Sequence, residues 1–130
     1  MNKENTEKLF NDFPNLYRDK DESLSKTLIC WGFSFDDGWN DLVYDLSAKL
    51  EECILRMPEE KRGDYRAVQA KEKFGFLRFY MTIETKEMSD LIAEAERKSA
   101  ITCEICGSEK GEMRKTGGWL RTLCLECKRK

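Results

Sequence analysis

The sequence predicts an α+β fold: a small antiparallel β-hairpin or sheet packed by two amphipathic helices, with a C-terminal four-cysteine zinc ribbon docked at one end. Three observations predict it. Apolar residues recur at helical spacing in two long segments, one ending before Pro58 and one over 86–99. Between them, residues 65–82 change to two extended runs around Gly75. Near the end of the chain, Cys103-Glu104-Ile105-Cys106 and Cys124-Leu125-Glu126-Cys127 form two Cys-x-x-Cys pairs with 17 residues between them. That spacing fits a four-thiolate zinc site.

The elements follow in order. Residues 6–13 place Leu9, Phe10 and Phe13 on one helical face, and Pro14 stops the helix. Residues 15–26 read as a polar connector anchored by Leu16, Tyr17 and Leu24. The apolar and aromatic run from Leu28 to Phe35 predicts a short buried strand that breaks at Gly32. Asp36 or Asp37 then caps a helix, because a carboxylate accepts hydrogen bonds from first-turn amides. Its apolar stripe is Trp39, Leu42, Val43, Leu46, Leu50, Cys53, Ile54 and Met57, and Pro58 ends it. Residues 59–64 form a charged connector.

Gly75 sits between two strands and marks a hairpin. In the second strand Phe76, Arg78 and Tyr80 share one face, while Leu77, Phe79 and Met81 share the other, which is core. A second helix over 86–99 carries Met88, Leu91, Ile92 and Ala95 on its apolar stripe. The chain thus divides into an N-terminal helix and connector (1–27), an α+β core (28–99) and a zinc ribbon (100–130).

Composition bounds the function. The chain has 130 residues, 40% apolar and 11% aromatic, which is globular composition. Its 23 basic and 25 acidic side chains leave it slightly negative. A protein that coats nucleic acid wholesale is much more basic, so any anionic partner must be met by a local patch. No apolar run approaches a membrane span, and Met1-Asn2-Lys3-Glu4 does not begin a signal peptide, so a cytoplasmic location is expected. A reducing compartment favours metal binding over disulfides. Cys30 and Cys53 read as small buried apolar residues. Histidine is absent, which removes Ser-His and Cys-His nucleophile pairs and the commonest general base near neutral pH.

Cys103, Cys106, Cys124 and Cys127 are therefore the candidate ligands of one zinc ion, with a disulfide pair or an iron–sulfur cluster as the alternatives. Four protein thiolates leave no position for water or substrate, so the ion is structural. The last thirty residues hold too few large apolar side chains to fold alone, and the ion should supply much of their stability. Lys110, Arg114, Lys115, Arg121, Lys128, Arg129 and Lys130 can offset the negative charge of the site, or contact a phosphate-bearing ligand.

A second constellation combines cations with flat rings. Lys71, Lys73, Arg78 and Arg121 provide charge, and Phe74, Tyr80, Trp31 and Trp119 provide ring faces. Cations hold phosphate by charge-assisted hydrogen bonds and rings stack on bases. Lys71, Lys73, Arg78, Tyr80, Trp119 and Arg121 are the candidate ligand-binding residues. Arg78 either pairs with a carboxylate such as Asp37 or faces a ligand. Asp36, Asp37 and Asp41 suggest helix capping first and a magnesium site second.

Trp31-Gly32-Phe33, Asp37-Gly38-Trp39 and the run Val68-Gln69-Ala70-Lys71-Glu72-Lys73-Phe74-Gly75-Phe76-Leu77-Arg78-Phe79-Tyr80 go together with Cys103-x-x-Cys106-Gly107 and Gly118-Trp119-Leu120-Arg121-Thr122-Leu123-Cys124. In combination, from about Cys30 to Cys127, the chain resembles a group of small phage and prophage proteins. Several members of the group carry glycine where Phe76 stands here. The resemblance implies a phage setting, with host takeover or counter-defence as the purpose, and implies no activity.

Three functions are expected in descending order. The first is a non-catalytic binding protein that captures an anionic small molecule, such as a nucleotide immune signal, in the host cytoplasm. The second is a zinc-ribbon adaptor that grips a host protein or nucleic acid. The third is a metal-dependent hydrolase using Asp37 and its neighbours. The aromatic surface could equally line a contact between copies of the chain.

Overall fold

The computed structural model describes residues 1–22 and 27–129, so Leu24 and Lys130 lie outside the described residues, as does the Trp31 side chain. Helix α1 (Lys3–Asp12) starts at Lys3 rather than Thr6, because the Asn2 side chain accepts a hydrogen bond from the Asn5 amide at 2.8 Å. Leu9 and Phe13 are buried beneath it. In the turns that follow, the Tyr17, Lys20 and Glu22 amides find backbone carbonyls, whereas the Asn15 and Leu16 amides are met by a carboxylate on a distant helix. Glu51, itself buried, accepts from the Leu16 amide at 2.8 Å and from the Asn15 amide and side chain at 3.2 and 3.0 Å. Tyr17 is fully buried beside it and shares a hydrogen bond of 2.6 Å with Ser47. Burial pushes the Tyr17 phenol well above its ordinary range.

The strand predicted over 28–35 forms only in part. Ile29–Trp31 is a 3₁₀ turn, Gly32 adopts φ +82°, and just two residues, β1 (Phe33–Ser34), reach the sheet. The left-handed glycine redirects the chain after one turn, so Ile29 enters the core from the turn, and Phe33 and Phe35 enter it on alternate positions either side of exposed Ser34. β1 lies parallel to β2 (Ala67–Lys73), pairing Phe33 with Ala70 and Ser34 with Lys71.

The hairpin forms as expected. β2 runs antiparallel to β3 (Phe76–Met81), with Lys73 opposite Phe76, Lys71 opposite Arg78 and Gln69 opposite Tyr80. Its two-residue turn puts Phe74 at φ +54° and Gly75 at φ +87°. Positive φ at both central positions matches the turn to the right-handed twist of the strands. Ala70, Leu77 and Phe79 face the core, leaving Lys71, Lys73, Phe76, Arg78 and Tyr80 on the outward face.

Helix α2 (Asn40–Leu55) follows a 3₁₀ turn at Asp37–Trp39 and buries Val43, Leu46, Leu50, Cys53 and Ile54. The charged connector predicted over 59–64 instead contains a one-turn helix, α3 (Glu59–Arg62). Arg62 folds back onto the Met57 and Leu55 carbonyls at 3.1 and 3.0 Å, and those contacts decide its shape. Helix α4 (Lys86–Ser99) has the predicted bounds, and Thr85 caps it by accepting from the Met88 amide at 3.2 Å. It packs on α2 and on β3. Its Ser99 hydroxyl and Glu96 carboxylate accept from the Leu77 and Phe79 amides at 3.0 and 3.1 Å. These bonds close the outer edge of the sheet, which would otherwise invite another strand.

The ribbon comprises an antiparallel pair, β4 (Glu112–Thr116) and β5 (Trp119–Leu123), and a one-turn helix α5 (Leu125–Lys128). Among the described residues no helix is long and apolar enough to cross a membrane. Replacing Glu51 with Ala strands the buried Leu16 amide without an acceptor. Urea unfolding should register a loss of roughly 2 kcal/mol for that variant, and an unchanged midpoint would refute the role given to Glu51.

Candidate metal centre

Each cysteine pair is shaped by its own backbone. In the first knuckle the Gly107 amide donates to the Cys103 carbonyl at 2.9 Å, and Gly107 turns the chain at φ +82°. The Cys103 amide donates to the Ser108 carbonyl at 2.7 Å and closes the loop. In the second knuckle Cys124 precedes α5, whose first turn carries Cys127 back toward it. The Glu104 amide donates to the Thr122 carbonyl at 2.9 Å and draws the two knuckles together.

All four sulfurs consequently lie within 4.8 Å of one another, and the Cys106 and Cys124 sulfurs are 3.7 Å apart. A tetrahedral ion with Zn–S bonds of about 2.3 Å requires sulfurs about 3.8 Å apart. The four cysteines are positioned to bind a metal ion such as zinc. Cys103, Cys124 and Cys127 are buried and Cys106 is exposed.

Thiol acidities diverge within this sphere. Burial opposes the Cys103 thiolate, but the backbone amides of Cys106, Cys124 and Ile105 outweigh it and bring the thiol down to about 6. Burial and the neighbouring sulfurs push Cys127 up to about 12. Four sulfurs this close resist ionising together, and a divalent cation removes that conflict.

No family model, curated protein or solved structure matches this chain.

The knuckle is seated directly on the start of the core helix. The Gly38 amide donates to the Glu104 carbonyl at 2.7 Å. A Cβ at Gly38 would stand 2.3 Å from the Cys103 carbonyl oxygen and 2.4 Å from the Glu104 carbonyl carbon, so no other residue fits. One residue on, the fully buried Trp39 donates its indole N–H to the Thr102 carbonyl at 2.8 Å. The hairpin turn is tied in as well, because the Thr122 hydroxyl donates to the Gly75 carbonyl at 2.7 Å.

Two carboxylates expected to cap α2 are engaged elsewhere. Asp36 pairs with Arg121. Asp37 accepts from the Asn2 amide at 2.8 Å and the Asn5 side chain at 3.1 Å, which pins α1 to the start of α2. Those hydrogen bonds, the Asn2 amide first, hold the Asp37 carboxyl below its usual value. The backbone of the knuckle takes over at the first turn, with its Glu104 carbonyl accepting from Gly38. Glu104 also lies buried between the two cysteines of its pair. Its side chain accepts from the Asp36 amide at 3.1 Å and faces the Arg121 Nε at 3.5 Å. Burial raises the pKa of this carboxyl, with the Asp36 amide and Arg121 opposing.

The six ligand-binding candidates do not share one surface. Lys71, Lys73, Arg78 and Tyr80 stand together on the outward hairpin face. Arg121 is held by Asp36 and Glu104, and Trp119 is 73% exposed beside it. Those two line a groove with Glu72, Phe33 and Phe35, and strand alternation puts Glu72 on the face opposite Lys71 and Lys73. Arg78 pairs with Glu96 at 3.9 Å rather than with Asp37.

In the basic cluster around the cysteines, Arg114 serves structure by donating to the Leu123 carbonyl and to Glu112, both at 2.8 Å. Among the described residues, the four cysteines are the group of potential ligands close enough to hold an ion, and Asp36, Asp37 and Asp41 are not brought together as one. Sequence reasoning missed Glu104 and Gly38 as docking residues. The variable position of a Cys-x-x-Cys carries no pattern of its own, and the contact at Gly38 joins segments far apart in sequence.

Elemental analysis of chain purified under reducing conditions should find one zinc per molecule. Cys103→Ser should lose it, together with several kcal/mol of stability. Material without stoichiometric metal overturns the assignment. Gly38→Ala should retain all four thiols yet lose about 3 kcal/mol, since the knuckle backbone must move. An unaffected melting temperature would show that the knuckle is not seated there.

Proposed function

We propose that this chain is a non-catalytic binding protein, its tail held by one structural zinc ion, that captures an anionic ligand of nucleotide type on the outward hairpin face. The observation that carries this reading is electrostatic. Lys71 and Lys73 stand on that face with no carboxylate partner among the described residues, in a chain that is slightly negative as a whole. Each leans instead on a ring, Lys71 over Tyr80 and Lys73 over Phe74, both at 5.9 Å. Such cations are available for charge-assisted hydrogen bonds to phosphate, and the rings beside them offer faces for a base. The zinc takes no part in binding, because four thiolates fill its coordination sphere.

The resemblance to phage and prophage proteins supplies a context. In an infected cell the ligand would be a nucleotide signal of host defence, held in the cytoplasm and kept from its receptor. An adaptor for host nucleic acid or protein is the second reading. It is favoured by the openness of the face and by the exposed Trp119 and Phe74. A hydrolase built on Asp37 has less support, since that carboxylate is occupied by Asn2 and Asn5.

Thermal-shift and calorimetric titrations with mono-, di- and oligonucleotides, linear and cyclic, test the proposal. Binding should weaken at least tenfold when Lys71 and Lys73 are both changed to Glu, with the melting temperature preserved. No response to any member of the panel ends the nucleotide reading, and salt-dependent retention of long nucleic acid alone supports the adaptor.

A further inference from the structure

We infer that the outward hairpin face is built for at least two linked nucleotides, so that its occupant is a short single-stranded oligonucleotide with one base on Phe76 and another on Tyr80. The inference rests on the nucleotide reading above and deepens it by naming the ligand class. Phe76, Arg78 and Tyr80 alternate along β3 and therefore point the same way. At about 3.3 Å per residue, the two ring-bearing positions are about 13 Å apart and the guanidinium position stands midway. One base cannot cover both rings. Two bases joined through a phosphodiester can, and the linking phosphate then falls beside Arg78.

Charge on either side follows the same line. Across the hairpin, Lys73 is opposite Phe76 and Lys71 is opposite Arg78, so a row of cations runs beside the row of rings. On the other flank, a groove of about 580 Å³ between β3 and α4 is lined by Phe76, Arg78, Ala93, Glu96, Arg97 and Ala100. The small side chains of Ala93 and Ala100 leave space beside the Phe76 ring, and a groove of this volume admits a small ligand. Arg97 is exposed there and, like Lys71 and Lys73, pairs with no carboxylate among the described residues. The one carboxylate in the groove, Glu96, is already engaged by the Phe79 amide and by Arg78.

The cations rest loosely on the rings. Arg78 lies 5.9 Å from the Phe76 ring centre and Lys71 lies 5.9 Å from that of Tyr80, near the outer limit of a cation–π contact. A phosphate draws them away and leaves the ring faces to the bases. Only unpaired bases can lie flat on two rings of one strand, which excludes a duplex.

Equilibrium titration of the zinc-loaded full chain at fixed salt, with thymidine and uridine mono-, di- and tetranucleotides, tests the inference. The dinucleotide should bind at least tenfold more tightly than the mononucleotide. Tyr80→Ala and Phe76→Ala should each remove about tenfold of dinucleotide affinity, Arg97→Ala should weaken it several-fold, and Trp119→Ala should leave it unchanged. The deoxy and ribo arms distinguish a DNA from an RNA source. Equal affinity for mono- and dinucleotide overturns this inference while leaving the nucleotide reading standing. Loss of all nucleotide binding sinks both. If Phe76→Ala fails to fold, the exposed Tyr80 position still decides, since dinucleotide affinity indifferent to Tyr80→Ala refutes the two-ring platform.

Discussion

The contact between Gly38 and the first cysteine knuckle is the point on which the other parts of the molecule converge. A helix start and a metal-binding turn meet there backbone to backbone, at a distance that admits no Cβ. The hydrogen bond from Gly38 to the Glu104 carbonyl replaces the capping that a side chain would otherwise supply. With the cap provided from outside, Asp36 and Asp37 are left to do other work. Asp37 gathers in the N-terminal helix, and Asp36 anchors Arg121 on the ribbon. Helix α1, helix α2 and the ribbon thus share one junction. The thiolate sphere lies directly behind it, so whatever orders the sulfurs also orders the junction.

Division of labour among the arginines and lysines follows from this arrangement. Where the ribbon meets the core, positive charge is needed inside. Arg121 faces two carboxylates, and within the ribbon Arg114 on β4 donates to the Leu123 carbonyl on β5. Those guanidiniums are structural because their planar donors match fixed carboxylates and carbonyls. On the hairpin the situation is reversed. The inward face is filled by Ala70, Leu77 and Phe79, and of the cations on the outward face Arg78 pairs with Glu96 while Lys71 and Lys73 have no carboxylate partner among the described residues. A near-neutral chain therefore carries a locally uncompensated positive face next to flat rings.

Some of this was readable from the residues and some was not. The hairpin was legible because strand alternation and a glycine at the turn are local signals, and the cysteine site because ligand spacing is a covalent property of the chain. Helix α4 had the predicted bounds because its cap, Thr85, and its apolar stripe agree with each other. The run from Leu28 to Phe35 misled, since a buried apolar segment satisfies strand and turn equally. Its path is decided by a left-handed Gly32, after which Phe33 and Ser34 pair with β2. Capping by Asp36 or Asp37 was a sound local inference that lost to stronger distant partners.

What the sequence determined unaided is the set of parts: two amphipathic helices, an outward aromatic and cationic strand face, and four thiolates at metal-binding intervals. Each of these rests on periodicity or spacing within a few residues, which the covalent chain alone imposes. Tertiary structure decided how the parts are joined and which charges remain available. Arg121 and Lys71 look alike as letters, yet one is closed in by carboxylates from residues 36 and 104 and the other is not. Electrostatic pairing acts through space across distant segments, so only the folded chain could distinguish the arginine held between two carboxylates from the lysine left without one.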